Sequence, residues 1–177
     1  MDSRYRIRPG TSDDIDALPE IERAANNLFA EFGWPADILA SVTDRDTFRD
    51  FQRAGRLWVA TDAHDQPVGF ALASLLDDHA HLDEIDVHPD HGRRGIGRAL
   101  VEHVCTWAAD SALRAVTLTT ERDIPGNAPF YARLGFVAVP DAELSAALRA
   151  IVAEETSRGL APDSRVAMIR HLLPFEQ

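Results

Sequence analysis

The segment Pro89-Asp90-His91-Gly92-Arg93-Arg94-Gly95-Ile96-Gly97-Arg98-Ala99-Leu100 constrains this chain more than any other. A strand-like run ends just before it, and the turn then holds three glycines and three arginines in the seven residues 92–98. Ile96, Leu100, Val101, Val104 and Trp107 follow at helical spacing, which predicts an amphipathic helix over 95–110. A strand that passes through a glycine turn straight into a helix belongs to α/β architecture. The same turn can seat a phosphate. Glycine lets backbone approach an anion, first-turn N–H groups have no helical acceptor, and the helix dipole and arginines add positive charge. The plainer alternative is an ordinary turn before a helix.

The remaining pattern extends this class. Residues 5–8 read as a short strand stopped by Pro9-Gly10. A helix capped at Thr11 or Ser12 carries Ile15, Leu18, Ile21, Ala25, Leu28 and Phe29, and Pro19 marks a kink or a restart within it. Residues 29–34 read as an aromatic loop, followed by short helices over 37–42 and 46–54 with Gly55 as a stop. Strands at 56–61 and 68–76 flank a short turn and so pair antiparallel. In the strand at 81–88 the apolar phase changes between Leu82 and Ile85-Val87. One extra residue near Asp83-Glu84, a β-bulge, would restore a single buried face; a strand buried on both faces is the alternative.

Further strands are expected at 115–120, 136–139 and 165–172, a short helix at 128–134 ended by Gly135, and a helix at 141–155 with Leu144, Leu148, Ile151, Val152 and Glu155 on one stripe. The expected fold is α/β: a mixed central sheet, antiparallel in its N-terminal part, with one parallel pair where the 95–110 helix crosses over, and helices on both faces. No repeat or linker divides the sequence, so one domain over 1–177 with its core at 4–172 is expected.

Charge narrows the partners. Lys plus Arg is 18 and Asp plus Glu 29, a net charge of -11. That field repels phosphate backbones, so no nucleic-acid partner is expected, whereas a cationic small molecule or a basic peptide suits it. Cys105 is the single cysteine and fits a reducing compartment. With no long apolar run and no leader-like start, the expectation is a cytoplasmic protein without a membrane partner.

Which phosphate ligand fits the turn? A Walker loop ends in Gly-Lys-Ser/Thr, unlike Gly97-Arg98-Ala99. A dinucleotide fingerprint wants Gly or Ala where Leu100 stands, and an acid about twenty residues on, where Val116-Thr117-Leu118 lies. Arg94 to Leu100 instead resembles the acetyl-CoA loop of the GCN5-related N-acetyltransferase (GNAT) superfamily, Gln/Arg-x-x-Gly-x-Gly/Ala. The lead-in Glu84-Ile85-Asp86-Val87-His88-Pro89 resembles that family as well. Asn127-Ala128-Pro129-Phe130-Tyr131-Ala132-Arg133-Leu134-Gly135-Phe136 is similar to its Asn…Tyr-x-x-Leu-Gly-Phe signature. One departure stands out: the loop's first position is Gly92, with Arg93 where glycine is common, as though the pair were exchanged.

The resemblance implies an N-acetyltransferase that uses acetyl-CoA as co-substrate, without a metal. It implies direct attack by a primary amine in a ternary complex, and the acidic composition points to a small cationic molecule as the owner of that amine. A peptide or protein N-acetyltransferase, a non-catalytic acyl-CoA-binding regulatory module and, more distantly, a nucleotide-binding protein are the rivals. An alkyl amine of pKa about 10.4 pays about 4–5 kcal/mol to be neutral at pH 7, so a base is needed. Glu84 is the candidate, acting directly or through water, with Asp83 and Asp86 as competitors. Tyr131 matches the family's general acid to the leaving sulfur. The Val87 N–H would face the thioester carbonyl, and Asn127 the pantetheine arm. His88, Gly92, Arg93, Arg94, Gly95, Ile96, Gly97, Arg98 and Phe130 complete the expected cofactor contacts.

Phe29, Phe32 and Trp34 are candidate walls of the acceptor pocket, with Glu31 or Glu22 to attract a cation; equally, the aromatics plug the edge of the core. The 141–155 helix is expected either to cover the acceptor opening, with Glu154 and Glu155 near its mouth, or to bury its stripe in a homodimer. His79 and His81 could share a strand face as metal ligands, and His88 and His91 invite the same thought, but ordinary polar roles are preferred. Cys105 and Trp107 are read as core.

Overall fold

The computed structural model describes residue 2 and residues 4–172. Among the described residues seven strands are formed: β1 (Arg6–Pro9), β2 (Leu57–Thr61), β3 (Pro67–Leu76), β4 (His79–Val87), β5 (Ala115–Glu121), β6 (Val137–Ala138) and β7 (Arg165–His171). Their sheet order is β1-β2-β3-β4-β5-β7-β6. The β4–β5 pair is parallel, and β1–β2, β2–β3, β5–β7 and β6–β7 are antiparallel. The helices are α1 (Leu18–Asn26), α2 (Ala36–Ala40), α3 (Arg45–Arg53), α4 (Ile96–Asp110), α5 (Ala128–Ala132) and α6 (Ala146–Ser157). The chain divides at Ser74/Leu75, Leu82/Asp83 and Val104/Cys105 into two compact units.

In the first unit Ile15, Leu18, Ile21, Phe48, Leu57, Val59, Phe70 and Leu72 form one buried cluster, with Phe51 packed against it. Phe48 and Phe70 meet edge to face at 5.1 Å. Residues 12–17 are turns and not the opening of the helix expected from a cap at Thr11 or Ser12; α1 begins only at Leu18, with Pro19 in its first turn, where the missing N–H costs nothing. Residues 27–32 correct the loop expectation. They wind as a 3-10 helix closed by Gly33 at φ +81. The Asp44 carboxylate caps α3 by accepting from the amides of Asp46 and Thr47.

Burial along β4 also departs from expectation. Ala80, Leu82 and Asp86 are buried, whereas Ile85 and Val87 are only half-buried. His81 is buried as well, so residues 80–82 are enclosed on both faces, as in the alternative of a strand buried on both faces, and farther along a carboxylate, Asp86, takes the buried place foreseen for an apolar side chain. A register shift does occur in the sheet, at Ala60/Thr61 between β2 and β3.

In the second unit β5 pairs with β7 along seven residues, Ala115 to Glu121. Helix α6 begins later than expected because residues 141–143 form a separate 3-10 turn; the Ser145 hydroxyl then caps it by accepting from Leu148 N–H at 3.2 Å. Leu148 is already buried by its own chain, so it is not free for a dimer contact. The apolar seam of α4 continues through Cys105 and Ala108, and Trp107, expected in the core, is half-buried. Among the described residues no helix is long and apolar enough to cross a membrane.

Candidate active site

At the end of β4, residues 89–91 make a single 3-10 turn, with His88 Nδ1 accepting from Asp90 N–H at 3.3 Å. Gly92 follows at φ -61, a value any residue adopts. Arg93 then takes φ +58 and Gly95 φ +78. The exchanged pair thus has a physical consequence: the left-handed position falls on arginine, where a Cβ is strained, and the unstrained position falls on glycine. The first α4 cap bond runs from Ala99 N–H to the Gly95 carbonyl at 3.0 Å. The amides of Ile96, Gly97 and Arg98 therefore stand ahead of the helical ladder, in the first turn.

Side chains brace this turn. Tyr5 is buried, and its hydroxyl lies 3.0 Å from both His91 Nδ1 and Arg94 Nη1, accepting from the guanidinium. The Arg94 carbonyl accepts from Asp2 N–H at 3.2 Å, and Arg94 Nη2 reaches the Asp90 carbonyl at 3.4 Å. Arg93 and Arg98 are exposed. Gly-rich backbone, uncommitted first-turn amides and three guanidinium groups form a donor set that suits a diphosphate.

Beside it lies a carboxylate cluster that spacing alone does not reveal. Glu22 of α1 and Glu84 and Asp86 of β4 each place a carboxylate oxygen within 4.8 Å of the other two. Glu22 is buried and accepts from Thr43 N–H at 2.9 Å and from Thr43 Oγ1 at 3.2 Å. Burial pushes its pKa above the ordinary value in spite of those bonds. Asp86 is held well above the usual carboxylate range, by burial first and then by the charges of Glu84 and Glu22. Its Oδ2 is buried without a hydrogen-bond partner. The competitors for the base therefore separate: Asp83 is exposed and takes a hydrogen bond from Ser74 Oγ at 3.0 Å, while Glu84 and Asp86 share a cluster. The signal for Glu22 was its place on the buried stripe of α1 with Leu18, Ile21 and Ala25.

The aromatics divide. Phe29 and Trp34 stack at 4.5 Å and 20°, whereas Phe32 is 47% exposed. Glu31 is exposed.

In the second unit Asn127 precedes α5, and its Nδ2 donates to Thr120 Oγ1 at 2.9 Å, leaving the amide oxygen for another donor. Tyr131 is buried with Phe130 at 5.1 Å and Phe136 at 5.8 Å, both edge to face. Gly135, at φ +86, turns the chain from α5 toward β6. Glu155, expected near the acceptor mouth, is committed elsewhere. It accepts from Arg165 Nη2 at 2.9 Å and Nε at 3.1 Å, and from Thr119 Oγ1. Glu154 pairs with Arg158 at the surface. His81 is buried against Thr117 Oγ1 at 3.0 Å, and burial lowers its pKa to about 4. His79 faces Asp78 at 3.3 Å. The histidine pairs form no metal-type group among the described residues; the one such group there is Glu22, Glu84 and Asp86.

A family model described as acetyltransferase (GNAT) family matches residues 20–136. The peptidyl-lysine N-acetyltransferase YjaB of Escherichia coli is 35% identical over 91 residues, 51% of this chain and 56% of that protein. The ribosomal protein bS18-alanine N-acetyltransferase of Salmonella typhimurium is 28% identical over 123 residues, 70% of this chain and 74% of that one. The chain spans little more than half the length of several curated relatives it matches. Among solved structures, a GNAT acetyltransferase of Staphylococcus aureus superposes with TM-score 0.72 at 16% identity, covering 96% of this chain and 99% of that one. The PaiA N-acetyltransferase of Thermoplasma acidophilum, in complex with coenzyme A, does so with TM-score 0.71 at 14% identity, covering 95% and 99%. At these identities the likeness speaks for the fold: a mixed seven-stranded sheet with one parallel pair and flanking helices.

Proposed function

The chain belongs to the GNAT acetyltransferase family, and from that premise we propose that it transfers the acetyl group of acetyl-CoA to a primary amine by direct attack, with both substrates held at once. The observation that carries this reading is the turn ahead of α4. Positive φ at Arg93 and Gly95 bends the backbone so that the amides of Ile96, Gly97 and Arg98 precede the helical ladder, the donor arrangement a diphosphate needs.

Bound acetyl-CoA would supply the thioester; the chain's own groups would do the rest. Gly92 to Arg98 would grip the diphosphate, with His88 shaping the turn and Arg93 standing in for the usual first-position side chain. The Val87 N–H would donate to the acetyl oxygen. Glu84, with Asp86 beside it, would receive the amine proton, directly or through water. Tyr131 would return a proton to the departing sulfur, and Asn127 and Phe130 would contact the pantetheine arm; these assignments rest on the motif in which the three residues stand.

For the acceptor we favour a small cationic amine, because the chain carries a net charge of -11 and a buried carboxylate cluster. A lysine side chain in a peptide is the second reading, favoured by the peptidyl-lysine relative. Phe29 and Trp34, with Phe32 at the rim, are the proposed walls for the acceptor's apolar part. Thiol release from acetyl-CoA, measured with a polyamine, a monoamine and a lysine-containing peptide, tests the reading. Amine-dependent release supports it, and coenzyme A binding without such release would favour a non-catalytic module.

A further inference from the structure

We propose that Glu22, Glu84 and Asp86 form a binding site for a primary ammonium group, one N–H directed to each carboxylate. Three points no more than 4.8 Å apart share a common point within about 2.8 Å of each, the N···O length of a charge-assisted hydrogen bond. An –NH3+ group carries three donors and no acceptor, which matches three carboxylates in number and charge. Asp86 supplies the independent sign of a missing ligand. It is 7% exposed, and its Oδ2 has no hydrogen-bond partner. A buried carboxylate oxygen left without a donor is costly, and an incoming N–H removes that cost.

The neighbouring residues limit the alternatives. From α1 comes Glu22, on which the charge of its sequence neighbour Arg23 is the smallest of the influences. The α2–α3 connection contributes Thr43, which donates its N–H and hydroxyl to Glu22 and so orients that carboxylate without neutralising it. From β3 comes Gly69, whose bare backbone backs onto Asp86. A hard divalent ion, which three carboxylates completed by water could also hold, is the competing occupant, and the test below separates the two. Unliganded, the cluster retains a proton because three adjacent carboxylates cannot all ionise cheaply. An ammonium group takes the place of that proton, so binding releases it.

This inference rests on the acetyltransferase reading for the purpose of the site and names the acceptor as one that arrives protonated. The test titrates the protein, alone and saturated with coenzyme A, with butylammonium chloride at neutral pH in two buffers of different ionisation enthalpy. Saturable binding with release of up to about one proton per chain is expected. Tetramethylammonium, which has the charge without N–H donors, should bind at least about tenfold more weakly, as should butylammonium to the Glu22→Gln variant. If that variant does not fold, Asp86→Asn replaces it. Equal affinity in variant and wild type, equal affinity for the two ammonium ions, or binding without proton release would overturn the proposal. So would calcium chloride displacing butylammonium, which would make the cluster a divalent-cation site. Lack of coenzyme A binding would sink the acetyltransferase reading instead, and the titration of the protein alone would still decide on the ammonium site.

Discussion

A Cβ placed on Gly69 would lie 2.7 Å from the carbonyl oxygen of Asp86 and 3.3 Å from the Cα of Val87. Only glycine lets β3 approach β4 this closely, at the residue that carries the buried carboxylate and the one whose N–H is proposed to meet the acetyl oxygen. Gly69→Ala must push backbone rather than a flexible side chain. We expect it to lower stability by about 1–3 kcal/mol and to raise KM for the amine more than the Kd of coenzyme A. Denaturant melts and steady-state kinetics check this; wild-type values in both would show that β4 shifts at no cost.

Arg93 holds φ +58, a conformation that disfavours a Cβ by about 1–2 kcal/mol. Arg93→Gly is expected to raise or leave unchanged the stability of the free protein while weakening coenzyme A about tenfold, since a charge-assisted phosphate contact is lost. Calorimetry at two salt concentrations separates the effects. Undiminished affinity would remove Arg93 from the diphosphate contacts.

Tyr131 packs edge to face on Phe130 and Phe136, so Tyr131→Phe keeps the rings in contact and removes only the hydroxyl. Turnover should fall by about ten- to a thousandfold with coenzyme A affinity nearly intact. Unchanged turnover would leave Tyr131 a packing residue.

The raised pKa of Asp86 has a defined sign. Its folded value stands above the ordinary 3.8, through burial and then the charges of Glu84 and Glu22. The protonated form therefore adds stability fully below the unfolded pKa, and that contribution is lost as pH rises from there through the folded value. Denaturant midpoints of the ligand-free protein should decline across that window, and Asp86→Asn should decline less. Parallel curves for the two proteins would refute the assignment.

Arg165 has only 8% of its side chain exposed and sits between Glu121 at 3.5 Å and Glu155 at 2.9 Å. Arg165→Met strands two largely buried carboxylates and should cost about 3–5 kcal/mol, whereas Glu155→Gln keeps a hydrogen-bond acceptor and should cost less. Equal and small losses would return Glu155 to a role at the acceptor opening.

The family and the glycine turn ahead of α4 were legible in the sequence because they depend on local rules. Gly95 and Gly97 ahead of an apolar stripe, and Gly135 closing Asn127 to Phe136, state their backbone conformations through composition and spacing alone. The antiparallel start and the parallel pair followed from the same rules.

What only the tertiary structure decided are relations between residues distant in sequence. Glu22 looked like one acid on a helix and Asp86 like one on a strand; folding brings both beside Glu84, and their mutual repulsion and burial arise only there. Glu155 and Arg165 look like surface charges until β5, β7 and α6 enclose them. Periodicity reports which face of an element is apolar, but the energy of a buried charge depends on what stands across from it, and a one-dimensional pattern does not carry that information.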